Sequence, residues 1–160
     1  MVLEPWQGLR VVDLYAGSGA LGIEALSRGA QWVDFAESSR DALDALRGNL
    51  ATLGAVERAK VWPLALPSGI ERMHAALARA DVILLDPPYG GSEARGSLAA
   101  LALAPLPASC RIVLEHHGKD EIPERIERIT RVDTRTYGET HISFFEPREA
   151  PGPATGGHEA

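Results

Sequence analysis

At 160 residues, 45% hydrophobic and with a formal net charge of −6, the chain holds one domain with an ordinary core, and its charge argues against gripping nucleic acid by bulk electrostatics. No apolar run reaches the length of a membrane span, and the opening MVLEPWQGLR lacks the charged head and long apolar stretch of a secretion signal. The single Cys110 excludes an internal disulfide framework and supplies no metal cluster, so a reduced, cytoplasmic setting is expected.

Arg10 to Tyr15 (RVVDLY) is a short β-branched run and reads as a buried parallel strand. Ala20 to Arg28 has helical apolar spacing at Leu21, Ala25 and Leu26, with Gly29 where a helix stop belongs. Trp32 to Glu37 predicts a second strand. Ser38 or Ser39 then caps a helix whose core stripe is Ala42, Leu43, Leu46 and Leu50. Lys60 to Leu64 predicts a third strand, shortened by Pro63. Ser68 to Ala80 has helical spacing at Ile70, Met73 and Leu77, and Asp81 to Asp86 (DVILLD) is the clearest buried strand. A helix over Gly96 to Leu103 and a strand over Arg111 to Glu115 follow. This alternation predicts a mostly parallel α/β sheet with helices on both faces and right-handed crossovers. Arg128 to Tyr137, the turn Gly138-Glu139 and Thr140 to Glu146 read as a closing antiparallel hairpin. The stretch from Pro147, rich in Pro, Gly and Ala, is expected to be a disordered tail.

Gly17 to Gly22 spells G-x-G-x-x-G between a strand and a helix, the setting of a backbone that approaches a ligand at the carboxyl end of a strand. Four nearby residues bear on the ligand. Asp13, just before the loop, repels a pyrophosphate and attracts an ammonium or sulfonium. Ala16 and Ser18 keep the loop small enough for a methionine-like chain, and Glu37 closes the second strand, where an acid takes the ribose hydroxyls of a nucleoside-bearing cofactor.

Asp86-Pro87-Pro88-Tyr89 follows the clearest strand. Two consecutive prolines fix two φ angles and remove two donors, which leaves a stiff loop with outward carbonyls between a carboxylate and an aromatic ring. A planar base with an exocyclic amine fits it. Asp86 and the Pro87 carbonyl can accept the two amine hydrogens while Tyr89 stacks on the ring. Guanine and adenine both satisfy this clamp.

The pair of motifs, VVDLYAGSGALGIEALSRGA with DVILLDPPYG, resembles the Rossmann-like, seven-stranded S-adenosylmethionine-dependent methyltransferases, and within them the RsmD-like ribosomal RNA methyltransferases. The likeness runs from about Arg10 to Glu146 and includes EALSRGA, Tyr137 to Thr140 and the aromatic last strand ISFF. It implies methyl transfer from S-adenosyl-L-methionine, leaving S-adenosyl-L-homocysteine, to the exocyclic N2 of a guanine in small-subunit rRNA. It implies Asp13, Gly17 and Gly19 for the methionine part of the cofactor and Glu37 for the ribose; Ala16, Ser18, Ser38, Ala65 and Asp86 complete the expected cofactor site. Asp86, Pro87, Pro88 and Tyr89 would hold the target base. No metal is expected, nor a membrane partner, and the chain is expected to act as a monomer on ribosomal RNA. The chain departs from the family in two places. Members usually carry several dozen residues before the first strand, where MVLEPWQGL stands here, and often offer an Asp or Asn to adenine where this chain has Leu64-Ala65-Leu66.

Rival readings are an adenine-N6 methyltransferase on DNA or RNA, an inactive cofactor- or RNA-binding module, and a small NAD-binding domain. Glu115-His116-His117 resembles a metal fragment but is better explained as strand-end polar residues. Trp32 and Trp62 are expected in or beside the core, and Arg125, Arg128, Arg131 and Arg135 are candidates for RNA phosphates.

Overall fold

A computed structural model of the chain describes residues 6–148. Among them the first five strands form the parallel part of one sheet: β1 (Arg10–Leu14), β2 (Trp32–Glu37), β3 (Ala59–Pro63), β4 (Val82–Leu85) and β5 (Arg111–His117). β6 (Arg125–Ile126), β7 (Ile129–Tyr137) and β8 (Thr140–Pro147) extend it antiparallel, and the strand order is β3-β2-β1-β4-β5-β8-β7-β6. The expected sheet and closing hairpin are present, with the two-residue β6 as an eighth strand. Pro147, expected to open the tail, is instead buried at the end of β8 opposite Ile129. The rest of that tail, from 149 onward, lies outside the described residues.

Side chains alternate across each central strand and fill two cores. Val12, Leu14, Ile83, Leu85, Ile112 and Leu114 face one side, where Leu77 of α3 (His74–Leu77) and Leu98 and Leu101 of α4 (Ser92–Ala102) cover them. Val11, Val33, Phe35, Val82, Leu84 and Val113 face the other, under α1 (Ala20–Ser27) and α2 (Arg40–Thr52). Burial on both faces is why β4 reads as an unbroken apolar run, and β1 and β2 as apolar runs interrupted only by the buried Asp13 and Asp34. Ser39 caps α2 by accepting from the Ala42 N–H at 3.4 Å, and Leu43, Leu46 and Leu50 are its buried stripe.

Two helices differ from expectation. The segment from Ser68 begins as a 3-10 helix (Ser68–Met73) and is α-helical only over α3. A Cβ at Gly69 would lie 2.8 Å from the Leu64 Cβ, so this segment docks tightly on the loop after β3, and the narrower helix still buries Ile70 and Met73. α4 starts at Ser92, four residues before the expected Gly96, because Gly91 at φ 83° turns the chain into the helix. Gly96 then lies inside α4, where its missing side chain makes room for the Pro67 ring.

Candidate active site

In a strand order β3-β2-β1-β4-β5, the chain leaves β1 toward opposite edges, and a crevice opens at the carboxyl ends of β1 and β4. A cavity of about 490 Å³ lies there, a volume ordinary for a small-molecule site. Of the expected residues, Glu37, Ser38, Ala65, Asp86, Pro87 and Pro88 line it. Leu64 and Leu66, which flank Ala65 in the loop expected near adenine, also line it, as do Tyr15 and Glu93, which were not anticipated. Glu93 stands in the first turn of α4, so placing that helix start at Gly91 would have brought it forward. The lining carries the carboxylates of Glu37, Asp86 and Glu93 and no lysine, arginine or histidine.

The glycine loop is braced from all sides. Ala16 N–H donates to the Ala36 carbonyl at 3.0 Å, and the Asn49 amide donates to the Ser18 carbonyl at 3.0 Å. Glu37 accepts three backbone N–H groups at 2.8 Å: Gly17 on one oxygen, Ser38 and Ser39 on the other. A carboxylate offers about four lone-pair positions, so about one remains for a ligand hydroxyl. Gly17 has φ 59° with open space where a Cβ would stand. Gly19 and Gly22 have neighbours there instead. A Cβ on Gly19 would lie 2.4 Å from Leu46 Cδ1, and one on Gly22 would lie 2.3 Å from Phe35 Cε1. Only Gly17 of the three combines a left-handed backbone with free space.

Asp13 does not line the cavity. The residue is 1% exposed, and its carboxylate, on the α1 side of the sheet, accepts the Gly22 N–H at 3.0 Å. Gly19, the residue before α1, provides no side-chain cap, so Asp13 serves an otherwise unpaired donor of the helix from a neighbouring strand. Burial pushes its pKa up to about 7, the Gly22 bond opposes this, and Asp86 and Glu37 add to the rise. A cation in the crevice would favour its ionised form.

Tyr15 holds a left-handed backbone, φ 61°, and its hydroxyl lies 2.8 Å from the Ser97 hydroxyl on α4. Ser97 is fully buried, so this bond ties the residue after β1, which lines the cavity, to α4. Tyr15→Phe strands the serine hydroxyl and is expected to cost about 1 kcal/mol in denaturant unfolding. Adding Ser97→Ala removes both partners and should recover most of that loss; an additive double variant would show that the pair is not coupled.

Asp86 sits at the mouth, with its pKa raised first by burial and then by the Glu115 carboxylate. Leu85 pairs Leu114, so Asp86 and Glu115 are next in line on adjacent strands. Pro87 is buried and Tyr89 is 62% exposed.

The other candidates have structural partners. Trp32 and Trp62 both donate their indole N–H to buried Asp34, at 3.0 and 2.9 Å. Arg128 donates to the Ala102 and Ala104 carbonyls, and Arg131 to the Ile122 carbonyl at 2.6 Å while covering the Phe145 ring. Arg125 donates to the Glu127 carbonyl, and Arg135 pairs with Asp133 at 3.5 Å. Each of these four arginines thus has a partner within the fold. His116 is buried against the Ser143 hydroxyl at 2.8 Å. Among the described residues, no group of three or more His, Cys, Asp or Glu could hold a metal ion, and no helix is long and apolar enough to cross a membrane.

A family model described as Conserved hypothetical protein 95 matches residues 2–146. The chain belongs to that family. It is the RsmD-like family that the two motifs resemble, and its relatives carry matching names. The Bacillus subtilis protein named "Putative rRNA methyltransferase YlbH" is 34% identical over 148 residues, spanning 89% of this chain and 78% of the relative. "Ribosomal RNA small subunit methyltransferase D" of Haemophilus influenzae is 35% identical over 91 residues, 56% of this chain and 47% of that protein. Among solved structures, a "putative methylase" from Haemophilus influenzae superposes with a TM-score of 0.74 at 26% identity, over 91% of this chain and 90% of the other. The RsmD-like chain thus has the Rossmann-like methyltransferase fold, with the cavity at its strand ends.

Proposed function

We propose that the chain transfers a methyl group from S-adenosyl-L-methionine to the exocyclic N2 amine of a guanine in small-subunit ribosomal RNA. The observation that carries this reading is a cavity walled by three carboxylates, free of basic side chains, that is bounded by the proline-stiffened Asp86–Pro88 segment ahead of Tyr89. Such a wall disfavours a dinucleotide pyrophosphate and favours a ligand bearing an ammonium and a sulfonium. The same loop reads a planar base with an exocyclic amine. The names of the relatives support rRNA as the substrate.

Glu37 and Ser38 would face the ribose of the cofactor, Leu64, Ala65 and Leu66 its adenine, and Asp86 and Glu93 its charged end. When bound, the cofactor supplies an electrophilic methyl group on a sulfonium. The chain's own task is to make a poor nucleophile competent, because the guanine amine lone pair is delocalised into its ring. Asp86 and the Pro87 carbonyl accept the amine hydrogens and hold the nitrogen in place. As positive charge builds on that nitrogen, Asp86 stabilises it and takes the released proton, directly or through water. Its raised pKa makes it a better proton acceptor than an ordinary carboxylate. Tyr89 stacks on the base and offsets part of the cost of unstacking it.

The test is transfer of labelled methyl from S-adenosyl-L-methionine to small-subunit particles lacking native methylation, followed by digestion to nucleosides. Label in N2-methylguanosine is expected. Label in N6-methyladenosine would keep the clamp and overturn the choice of base, and no label would overturn the activity.

A further inference from the structure

The proline pair stiffens the target-base loop only as far as Pro88. Beyond Tyr89 come Gly90 and Gly91, at φ 116° and 83°, the most permissive residues available. An exposed tyrosine ahead of two glycines would be free to swing. Its position is nevertheless held from outside the loop, by the turn that follows β5.

Asp120 has both oxygens engaged there. One accepts the Gly90 N–H at 3.0 Å and the other accepts the His117 N–H at 3.2 Å, while Asp120 N–H donates back to the His117 carbonyl at 3.0 Å. The loop and the turn are thereby clamped through one carboxylate. The His117 ring then meets the Tyr89 ring edge to face, with centroids 5.7 Å apart and planes at 68°. That ring is itself oriented. Its Nδ1 accepts the Lys119 N–H at 3.0 Å, so the neutral ring carries its proton on Nε2, which points at the Glu139 carboxylate 3.5 Å away. The Gly118 N–H donates to the Glu139 carbonyl at 2.8 Å and ties the turn to the hairpin tip.

We infer that Asp120 and His117 are positioning residues for the target base: Asp120 clamps the loop and His117 backs Tyr89, which leaves a preset open ring face for stacking. This rests on the reading that Tyr89 receives the base. A preset plate avoids the entropy of ordering a mobile side chain and loop at the moment of binding. The effect falls on RNA capture, since neither residue lines the cofactor cavity.

The experiment uses the full chain with Asp120→Ala, His117→Ala and His117→Phe. Each is assayed for methyl transfer to undermethylated small-subunit particles and for S-adenosyl-L-homocysteine affinity, and by fluorine NMR of 3-fluorotyrosine-labelled protein with the Tyr89 signal assigned through Tyr89→Phe. The two alanine variants should raise KM for the particle about tenfold, with kcat and homocysteine-product affinity within about twofold of the parent. His117→Phe keeps a ring edge and should restore KM. The Tyr89 fluorine signal should sharpen and move toward its solvent position in Asp120→Ala. An unchanged Tyr89 signal in both alanine variants overturns the inference, as does a loss confined to kcat or to cofactor affinity. If the parent transfers no methyl group while the Tyr89 signal still moves in Asp120→Ala, the clamp stands and the proposed activity falls.

Discussion

Asp86→Ala is expected to lower methyl transfer by roughly 10²–10⁴-fold, the range for loss of a positioned proton acceptor, while S-adenosyl-L-homocysteine, which lacks the sulfonium charge that Asp86 would face, still binds within a few fold of the parent. The carboxylate lies at the exposed mouth of the cavity, so its removal leaves the packed sheet untouched. Asp86→Asn adds a finer distinction, because an amide keeps one acceptor for the amine but takes no proton. The pH profile gives the sign independently. Burial, with Glu115 adding to it, raises the pKa of Asp86, so its carboxylate is lost on acidification sooner than an ordinary one. The acid limb of kcat/KM should therefore lie above the usual aspartate range and disappear in Asp86→Ala. Near-normal turnover in Asp86→Ala would remove the residue from the mechanism.

Gly22→Ala should destabilise the fold by about 3 kcal/mol, the upper part of the range for overpacking a close-fitting core. The added methyl would stand 2.3 Å and 2.8 Å from two atoms of the Phe35 ring and 2.9 Å from Val33, and both side chains are fully buried. Neither can yield without opening the seam between α1 and β2. In a domain of this size the loss corresponds to a melting temperature roughly 10 °C lower. Gly17→Ala is the matched comparison. No atom lies within 4 Å of its added methyl, so only its left-handed backbone, worth on the order of 1 kcal/mol, stands against it. Its expected effect is on ligand approach: weakened cofactor binding in a folded chain. Equal melting temperatures for the two variants would refute this division of roles within G-x-G-x-x-G.

That division shows where the sequence was legible and where it was not. β1, β2 and β4 were readable because burial on both faces demands mostly apolar, β-branched runs, a pattern contained in each run even where Asp13 and Asp34 interrupt it. The closing hairpin and the stiff Asp86–Tyr89 loop were readable because turn chemistry and proline geometry act between adjacent residues. The fingerprint glycines look alike in the sequence. What separates Gly17 from Gly22 is the Phe35 ring on β2, against which α1 packs in the folded chain.

Asp13 is the same case. Its place before a glycine loop suggested a ligand contact, yet alternation along β1 turns it to the α1 face, where the Gly22 N–H is its partner. Arg128 and Arg131 gain partners no local pattern could show, because only the fold places carbonyls of the α4 exit and the β6 approach within their reach. Local propensity, periodicity and two motifs were determined by the sequence alone, since each depends on residues within a few positions of one another. The cavity was decided by tertiary structure. Its carboxylates, Glu37, Asp86 and Glu93, come from two strand ends and a helix start, and only the order β3-β2-β1-β4 gathers them around one volume.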